Sequence, residues 1–163
     1  MARALGRVIV AKVDNKGDKI KNFKLWRKKN PKAIYFDSHP EWEVWKYLKG
    51  SRIPHVYHPS AIELMPAMEV TEFYHPRKNA KDRTPKIKKV TQKKMEYTPD
   101  FYLPEYECYI EVKGYADEQF KMRWKLFKAL GFDGFIVYSL AEFKALFKQL
   151  RALRDAEASK ASA

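Results

Sequence analysis

Apolar side chains recur at helical spacing in three segments of the chain. In residues 37–49, Trp42, Trp45 and Leu48 follow one another at intervals of three, which places them on one helical face. Residues 116–130 and 140–154 have longer stripes, made of Phe120, Trp124, Phe127 and Leu130 in the first and Leu140, Phe143, Leu146, Phe147, Leu150 and Leu153 in the second. The spacing therefore predicts three amphipathic helices.

Shorter apolar runs between these helices predict strands. They lie in residues 53–73, which three prolines interrupt, and in residues 96–103, 107–113 and 134–139. The order is helix, two or three strands, helix, strand, helix. This order predicts an α/β fold in which a central mixed β-sheet is flanked by helices on both faces.

The start of the first of these helices carries an acidic residue. Asp37 or Ser38 can cap the helix, and Pro40 suits its first turn. Glu41 therefore falls within the first turn. Glu43 competes with it as a functional acid, but residues two apart on a helix face different ways, and we favour Glu41.

Positive charge is concentrated in two segments. The chain has a net charge of +13, and residues 1–32 contribute +9 and residues 77–94 contribute +8. Segregated charge of this kind favours a polyanion such as DNA, although a merely basic, solvated surface is the simpler alternative. We predict a basic N-terminal arm, 1–32, and a basic loop or hairpin insertion, 75–95. The candidate DNA-binding residues are Lys28, Lys29, Arg77, Lys78, Lys81, Arg83, Lys86, Lys88 and Lys89.

The acidic residues that suggest chemistry lie on two predicted strands. Glu111 and Lys113 project from one face of a strand because side chains at i and i+2 share a face. Asp100 arrives from the neighbouring strand across a short turn. Two close carboxylates are costly unless a cation lies between them, and hard oxygen donors favour Mg²⁺ or Mn²⁺. The alternative is an ordinary exposed strand face with Asp100 in a turn.

These residues resemble a known signature. Pro99-Asp100 followed by Glu111-Val112-Lys113 is similar to the PD-(D/E)XK nuclease superfamily, and residues 36–41 and 97–104 resemble its phage junction-resolving enzymes of the endonuclease I type. The resemblance implies a restriction-endonuclease-like αβββαβ core. It also implies that Glu41, Asp100, Glu111 and the Val112 backbone carbonyl bind Mg²⁺, for which Mn²⁺ substitutes. Lys113 then assists the attacking water.

Other polar residues near these positions have simpler explanations. His39 is near the predicted site and could touch phosphate, but an ordinary hydrogen bond in the first helical turn explains it equally well. Gln119 is a candidate polar neighbour of the site, and a solvated glutamine is the simpler interpretation. With four histidines and one cysteine at no paired spacing, the sequence supports no structural zinc site.

We therefore expect one nuclease domain, 1–163, that hydrolyses phosphodiester bonds in branched DNA such as four-way (Holliday) junctions. Since such enzymes cut two strands symmetrically, we expect a homodimer. The alternatives are a non-catalytic DNA-binding protein on a nuclease-like core, or another repair, replication or restriction-like nuclease. One cysteine and no membrane-length apolar run indicate a cytoplasmic protein, in the host cytoplasm if a phage encodes it.

Overall fold

A computed structural model describes residues 12–75, 81, 84–114 and 117–161 of the chain. Contacts between residues divide the chain into two compact units, of which the first comprises Met1–Pro59, Pro99–Asp117 and Asp133–Ala163 and the second Ser60–Thr98 and Glu118–Phe132. The predicted α/β class is confirmed, while one nuclease domain over the whole chain stays a prediction. Among the described residues, no helix is both long enough and apolar enough to cross a membrane.

The helices and strands alternate along the chain. They are β1 (Val13–Asp14), α1 (Phe23–Lys29), β2 (Tyr35–Phe36), α2 (His39–Gly50), β3 (Val56–Tyr57), β4 (Ile62–Met65), β5 (Met68–Tyr74), β6 (Lys86–Gln92), β7 (Met95–Tyr97), β8 (Phe101–Leu103), β9 (Cys108–Val112), α3 (Glu118–Ala129), β10 (Gly134–Val137) and α4 (Leu140–Ala161). A single 3₁₀ turn, Pro104–Tyr106, joins β8 to β9.

The first unit contains a four-stranded mixed sheet in the order β10-β9-β8-β3. β9 and β10 are parallel, and their connection contains α3, because parallel neighbours need a crossover. β8 is antiparallel to both β9 and β3, so the predicted mixed sheet is confirmed. Apolar side chains of the sheet pack with those of α2 and α4 in one buried core, which includes Leu48, Ile110, Val112, Val137 and Phe143.

The N-terminal part of the first unit is more regular than the predicted arm. Val13 pairs with Phe36 in the β1–β2 ladder and forms an isolated bridge with Lys19 across a turn. A helix, α1, then follows within the basic stretch, capped by the Asn22 side chain, which accepts from the Leu25 backbone N–H at 3.1 Å. Residues 1–11 of the arm lie outside the described residues.

The second unit is built on two strand pairs and one helix. β4 pairs with β7, and the Tyr97 ring of β7 lies against the aromatic side chains of Phe120, Trp124 and Phe127 on α3. β5 and β6 form a separate two-stranded ribbon with an unbroken register from Met68↔Gln92 to Tyr74↔Lys86. The basic insertion is therefore a hairpin rather than a loop from residue 86 onward, because cross-strand pairing overrides its low apolar content.

The apolar stripes of the two C-terminal helices are shorter than predicted. Leu130 follows the end of α3 and is 51% exposed, and Leu153 on α4 is 62% exposed. Phe127 and Phe143 in the same stripes are fully buried, as predicted. Helical spacing gives a direction for each side chain, but burial also requires a partner at that height along the helix.

Candidate functional site

Glu41 is fixed in the first turn of α2 by a reciprocal cap. The Ser38 hydroxyl accepts from the Glu41 backbone N–H at 3.3 Å and donates to Glu41 Oε1 at 2.7 Å, which is the capping-box arrangement. The Asp37 backbone N–H and the Tyr57 hydroxyl donate to Glu41 Oε2 at 3.1 Å and 3.3 Å. A carboxylate only 5% exposed is thus held in one orientation.

Asp100 lies directly before β8 and is 9% exposed. Its Oδ2 accepts from the Val112 backbone N–H at 2.7 Å, and its backbone carbonyl accepts from the His58 N–H at 2.8 Å. Asp100 therefore connects the ends of three strands, β3, β8 and β9. This position follows from the register, since Phe101 is paired with both Tyr57 and Ile110.

Glu111 and Lys113 project from the β9 strand on the face opposite the core. Lys113 Nζ lies 2.5 Å from Glu111 Oε1, and the Glu111 side chain is almost fully buried. Val112 between them packs in the apolar core, as strand alternation requires. The Lys113 backbone N–H donates to the Val137 carbonyl at 2.9 Å, which holds this end of β9 against β10.

His58 joins the acidic residues, which the sequence did not indicate. One ligand atom from each of Glu41, His58 and Asp100 lies within 4.8 Å of the others, a spacing that one metal ion could bridge. His58 follows β3 in a left-handed backbone conformation (φ 47°), and its ring stacks on Tyr57 with centroids 4.0 Å apart. No pattern in the sequence separates His58 from His55, because only strand pairing brings it beside Asp100.

The electrostatics of the site are dominated by buried negative charge. Burial, then the neighbouring charges of Glu111 and Glu41, raises the pKa of Asp100 well above its ordinary value. Burial also raises the pKa of Glu41 and lowers that of His58. Three carboxylates face one ammonium, so a cation would relieve repulsion that the protein alone leaves in place.

The nearby protonated groups are held in the forms that the site needs. Burial opposes the charge of the Lys113 ammonium, but the adjacent Glu111 carboxylate outweighs it and raises the Lys113 pKa. Burial and the negative charge of Glu41 raise the pKa of Tyr57, whose hydroxyl stays a donor to Glu41. Lys113 is therefore a fixed positive charge beside the carboxylates.

The donor set fits a small divalent cation. Carboxylate oxygens of Glu41 and Asp100 suit Mg²⁺ and Mn²⁺, and the imidazole of His58, whose lowered pKa keeps a lone pair available, adds a nitrogen donor that Mn²⁺ accepts more readily. Glu111 lies close enough to affect Asp100 electrostatically, and its carboxylate is paired with Lys113.

Several residues predicted near the site are elsewhere. The His39 ring is half exposed and lies 3.9 Å from the Glu43 carboxylate rather than among the buried acids. Gln119 is exposed on α3, in the second unit. Of the candidate DNA-binding residues, Lys28 and Lys29 are exposed in the last turn of α1, and Lys86 and Lys89 are exposed on β6.

The remaining basic candidates divide between the hairpin and undescribed positions. Lys88 is half-buried, with its ammonium 3.4 Å from the centre of the Tyr74 ring, and Lys81 is exposed. Arg77, Lys78 and Arg83 lie outside the described residues.

Comparison with known proteins gives one match. Residues 24–153 match the profile of a family described as "Protein of unknown function (DUF1064)". No curated protein and no solved structure matches the chain.

Proposed function

The chain belongs to the family of proteins of unknown function DUF1064, and from the side chains that it brings together we propose that it is a metal-dependent DNA endonuclease. The observation that supports this most directly is the meeting of Glu41, Asp100 and His58 beside the Glu111–Lys113 pair. Buried carboxylates that raise each other's pKa are typical of functional sites rather than of structural ones.

The core supports membership of the PD-(D/E)XK superfamily. The central elements run in the order α2-β3-β8-β9-α3-β10, which is the αβββαβ order expected of a restriction-endonuclease-like core. In this arrangement the Asp100, Glu111 and Lys113 positions follow the signature along adjacent strands β8 and β9, and Glu41 comes from the preceding helix.

The proposed roles follow from the geometry. Glu41, Asp100, Glu111 and the Val112 carbonyl would hold Mg²⁺ or Mn²⁺, with His58 as an additional donor. A bound divalent cation supplies polarisation of a phosphoryl oxygen and a lowered pKa for coordinated water. Lys113, which stays an ammonium beside Glu111, stabilises negative charge on the phosphate during attack and cannot itself take the proton from water. The reaction adds water across the phosphodiester and breaks one P–O bond.

The hairpin supports DNA as the substrate. Each strand of the β5–β6 ribbon has seven residues, so the ribbon is about 23 Å long at the usual rise per residue. The major groove of B-DNA admits a two-stranded ribbon of this kind. Lys86 and Lys89 are exposed along it, where they can reach phosphates.

For the substrate's shape we propose branched DNA, and a four-way junction first. The basis is the resemblance of residues 36–41 and 97–104 to junction-resolving enzymes, and the paired cuts of such enzymes imply a homodimer. A non-catalytic DNA-binding protein is the rival hypothesis. Binding to phosphate alone gains nothing from Glu41, Asp100 and Glu111, which are buried carboxylates.

The test compares cleavage of three labelled substrates, a four-way junction, a duplex of the same sequence and a single strand. Each is incubated with Mg²⁺, with Mn²⁺ and with chelator. We expect cleavage of the junction that needs metal and falls at least about 10³-fold in Asp100→Asn and Glu41→Gln, since removal of a ligand disables the bound ion.

The control is Glu43→Gln, which changes an exposed carboxylate two residues from Glu41 in the same helix and should cut like the original protein. Failure to cut any substrate with either metal would refute the endonuclease proposal. Equal rates on junction and duplex would refute selectivity for branched DNA and leave another nuclease of the superfamily.

A further inference from the structure

The C-terminus of α2 has an unusual residue in its capping motif. The Ile53 backbone N–H donates to the Leu48 carbonyl at 3.0 Å, and the Arg52 N–H donates to the Lys49 carbonyl at 3.2 Å. This pair of bonds is the Schellman motif, whose left-handed position is usually glycine. Arg52 occupies that position with φ 55°. A side chain in a conformation that glycine adopts more easily needs a reason outside the backbone.

The interaction of a cation with the helix dipole is an insufficient reason. A positive charge in the last turn of a helix is favourable, but Lys49 already supplies one without left-handed backbone. An arginine at Arg52 adds a guanidinium at the cost of backbone strain, so we looked for what lies beside it.

Arg52 lines a cleft within the first unit. The cleft has a volume of about 360 Å³, and its walls come from the end of α2, the 3₁₀ turn and α4. A second cleft of about 300 Å³ shares Tyr47, Phe147 and Arg151 with it and continues along α4 past Lys144 and Lys148. Together they form a groove, here called the α4 groove, lined by basic and aromatic side chains.

The charges in the α4 groove are unevenly compensated. Arg154 is neutralised by Glu105 at 2.9 Å and by Asp155 at 3.8 Å, and its guanidinium lies over the Tyr106 ring. Within the described part of the chain, no carboxylate forms an ion pair with Arg52 or Arg151. Two guanidinium groups without acidic partners therefore line the same cleft.

The walls of the groove are rigid enough to present these charges in a fixed way. The Tyr47 ring packs edge-on against Phe143, and the Tyr106 ring packs edge-on against Phe147, which is buried. An arginine guanidinium matches a phosphate with two parallel hydrogen bonds, and preorganised walls reduce the entropy lost on binding.

We propose that the α4 groove is a second phosphate-binding site, which holds the backbone of a DNA strand through Arg52 and Arg151. It is distinct from the metal site, because Glu41 is in the first turn of α2 and Arg52 follows its last turn. Ten helical residues separate these ends by roughly 15 Å at 1.5 Å per residue. The choice of DNA over other phosphate carriers rests on the proposed function.

The experiment measures binding of a labelled four-way junction and a duplex in chelator, where no cleavage occurs, across a range of salt concentrations. Arg52→Gly should raise Tm by roughly 2–4 °C, because it relieves the left-handed strain. The same variant should weaken binding roughly tenfold and lower the slope of log K against log salt by about 1, because one phosphate contact is lost. Arg151→Ala should weaken binding by a similar factor.

Two controls separate the groove from general charge. Arg52→Lys keeps a cation at the same position and should retain most of the binding. Arg123→Ala removes an exposed arginine of α3 in the other unit and should leave both affinity and salt slope unchanged.

The possible results discriminate between causes. A higher Tm for Arg52→Gly with unchanged affinity and salt slope would overturn the proposal, as would an original protein that binds neither DNA. Competition by inorganic phosphate or a mononucleotide at micromolar concentration would replace DNA by a small phosphate ligand and overturn it too. Binding that responds to Arg52 in a protein that never cuts DNA would support the groove while refuting the endonuclease.

Discussion

Replacing Asp100 with asparagine should stabilise the metal-free protein and abolish its stabilisation by metal. The asparagine oxygen can still accept from the Val112 N–H, which Asp100 now does at 2.7 Å. The variant loses only the charge, which burial and the nearby Glu111 and Glu41 make unfavourable, as the raised pKa of Asp100 indicates. The same charge becomes favourable once a cation is bound. The two effects therefore have opposite signs.

The magnitudes follow from the separation of the carboxylates. Ligand atoms of Glu41 and Asp100 lie within 4.8 Å of each other. Two unit charges at this distance repel by about 1 kcal/mol with the screening of water and about 3 kcal/mol at an effective dielectric constant of 20. Since partial protonation relieves some of this, the metal-free variant should gain about 1 kcal/mol, or roughly 2–4 °C in Tm.

Metal should act in the other direction on the original protein. At a free metal concentration one hundred times Kd, binding stabilises the folded state by about 2.7 kcal/mol. For a chain of this size the corresponding rise in Tm is roughly 5–11 °C. The Asp100→Asn variant should show a rise of less than about 2 °C at the same concentration, because its affinity for metal is lower.

The assay is thermal unfolding followed by circular dichroism, in chelator and at increasing Mn²⁺ and Mg²⁺. Glu43→Gln, the matched exposed carboxylate, should retain the full metal-dependent rise. A metal-dependent rise in Asp100→Asn equal to that of the original protein would show that Asp100 is not a ligand. A lower Tm for the metal-free variant would show that its carboxylate is a structural acceptor rather than a source of repulsion.

Three further outcomes are expected. His58→Gln should lower Mn²⁺-supported cleavage about tenfold and Mg²⁺-supported cleavage less, because imidazole favours the softer ion; equal losses in kcat/KM with both metals would contradict a ligand role for His58. Replacing Lys86 and Lys89 together with alanine should reduce the salt slope of DNA binding by about 2, equally for junction and duplex, and an unchanged slope would remove the ribbon from the interface. Burial raises the pKa of Cys108 to about 11 and leaves it 2% exposed, so a thiol reagent at pH 8 should react with the folded protein far more slowly than with protein in denaturant, and similar rates would place Cys108 outside the core.

Much of the site could be predicted because its pieces are local. The cap of α2 needs only Ser38 and Glu41 three residues apart, and the alternation of Glu111, Val112 and Lys113 is fixed by the pleat of one strand. The approach of Asp100 to β9 needs only one tight connection between neighbouring strands.

What the sequence missed depends on pairing between distant segments. β6 has few apolar residues and becomes a strand because β5 supplies a partner along its whole length. Leu130 and Leu153 have the right helical phase but stay exposed. Local pattern gives a direction for a side chain, and only tertiary contacts decide whether something meets it there.

His58 and Arg52 show this division most clearly. The sequence by itself determined the acid pair, the lysine and the helix that presents Glu41, because the repeat of a strand or helix sets which side chains share a face. Only the tertiary structure placed His58 beside Asp100, through the register of β3 with β8, and Arg52 beside Arg151, through the packing of α2 with α4. Register and packing join residues that are far apart in sequence, and no local period encodes them.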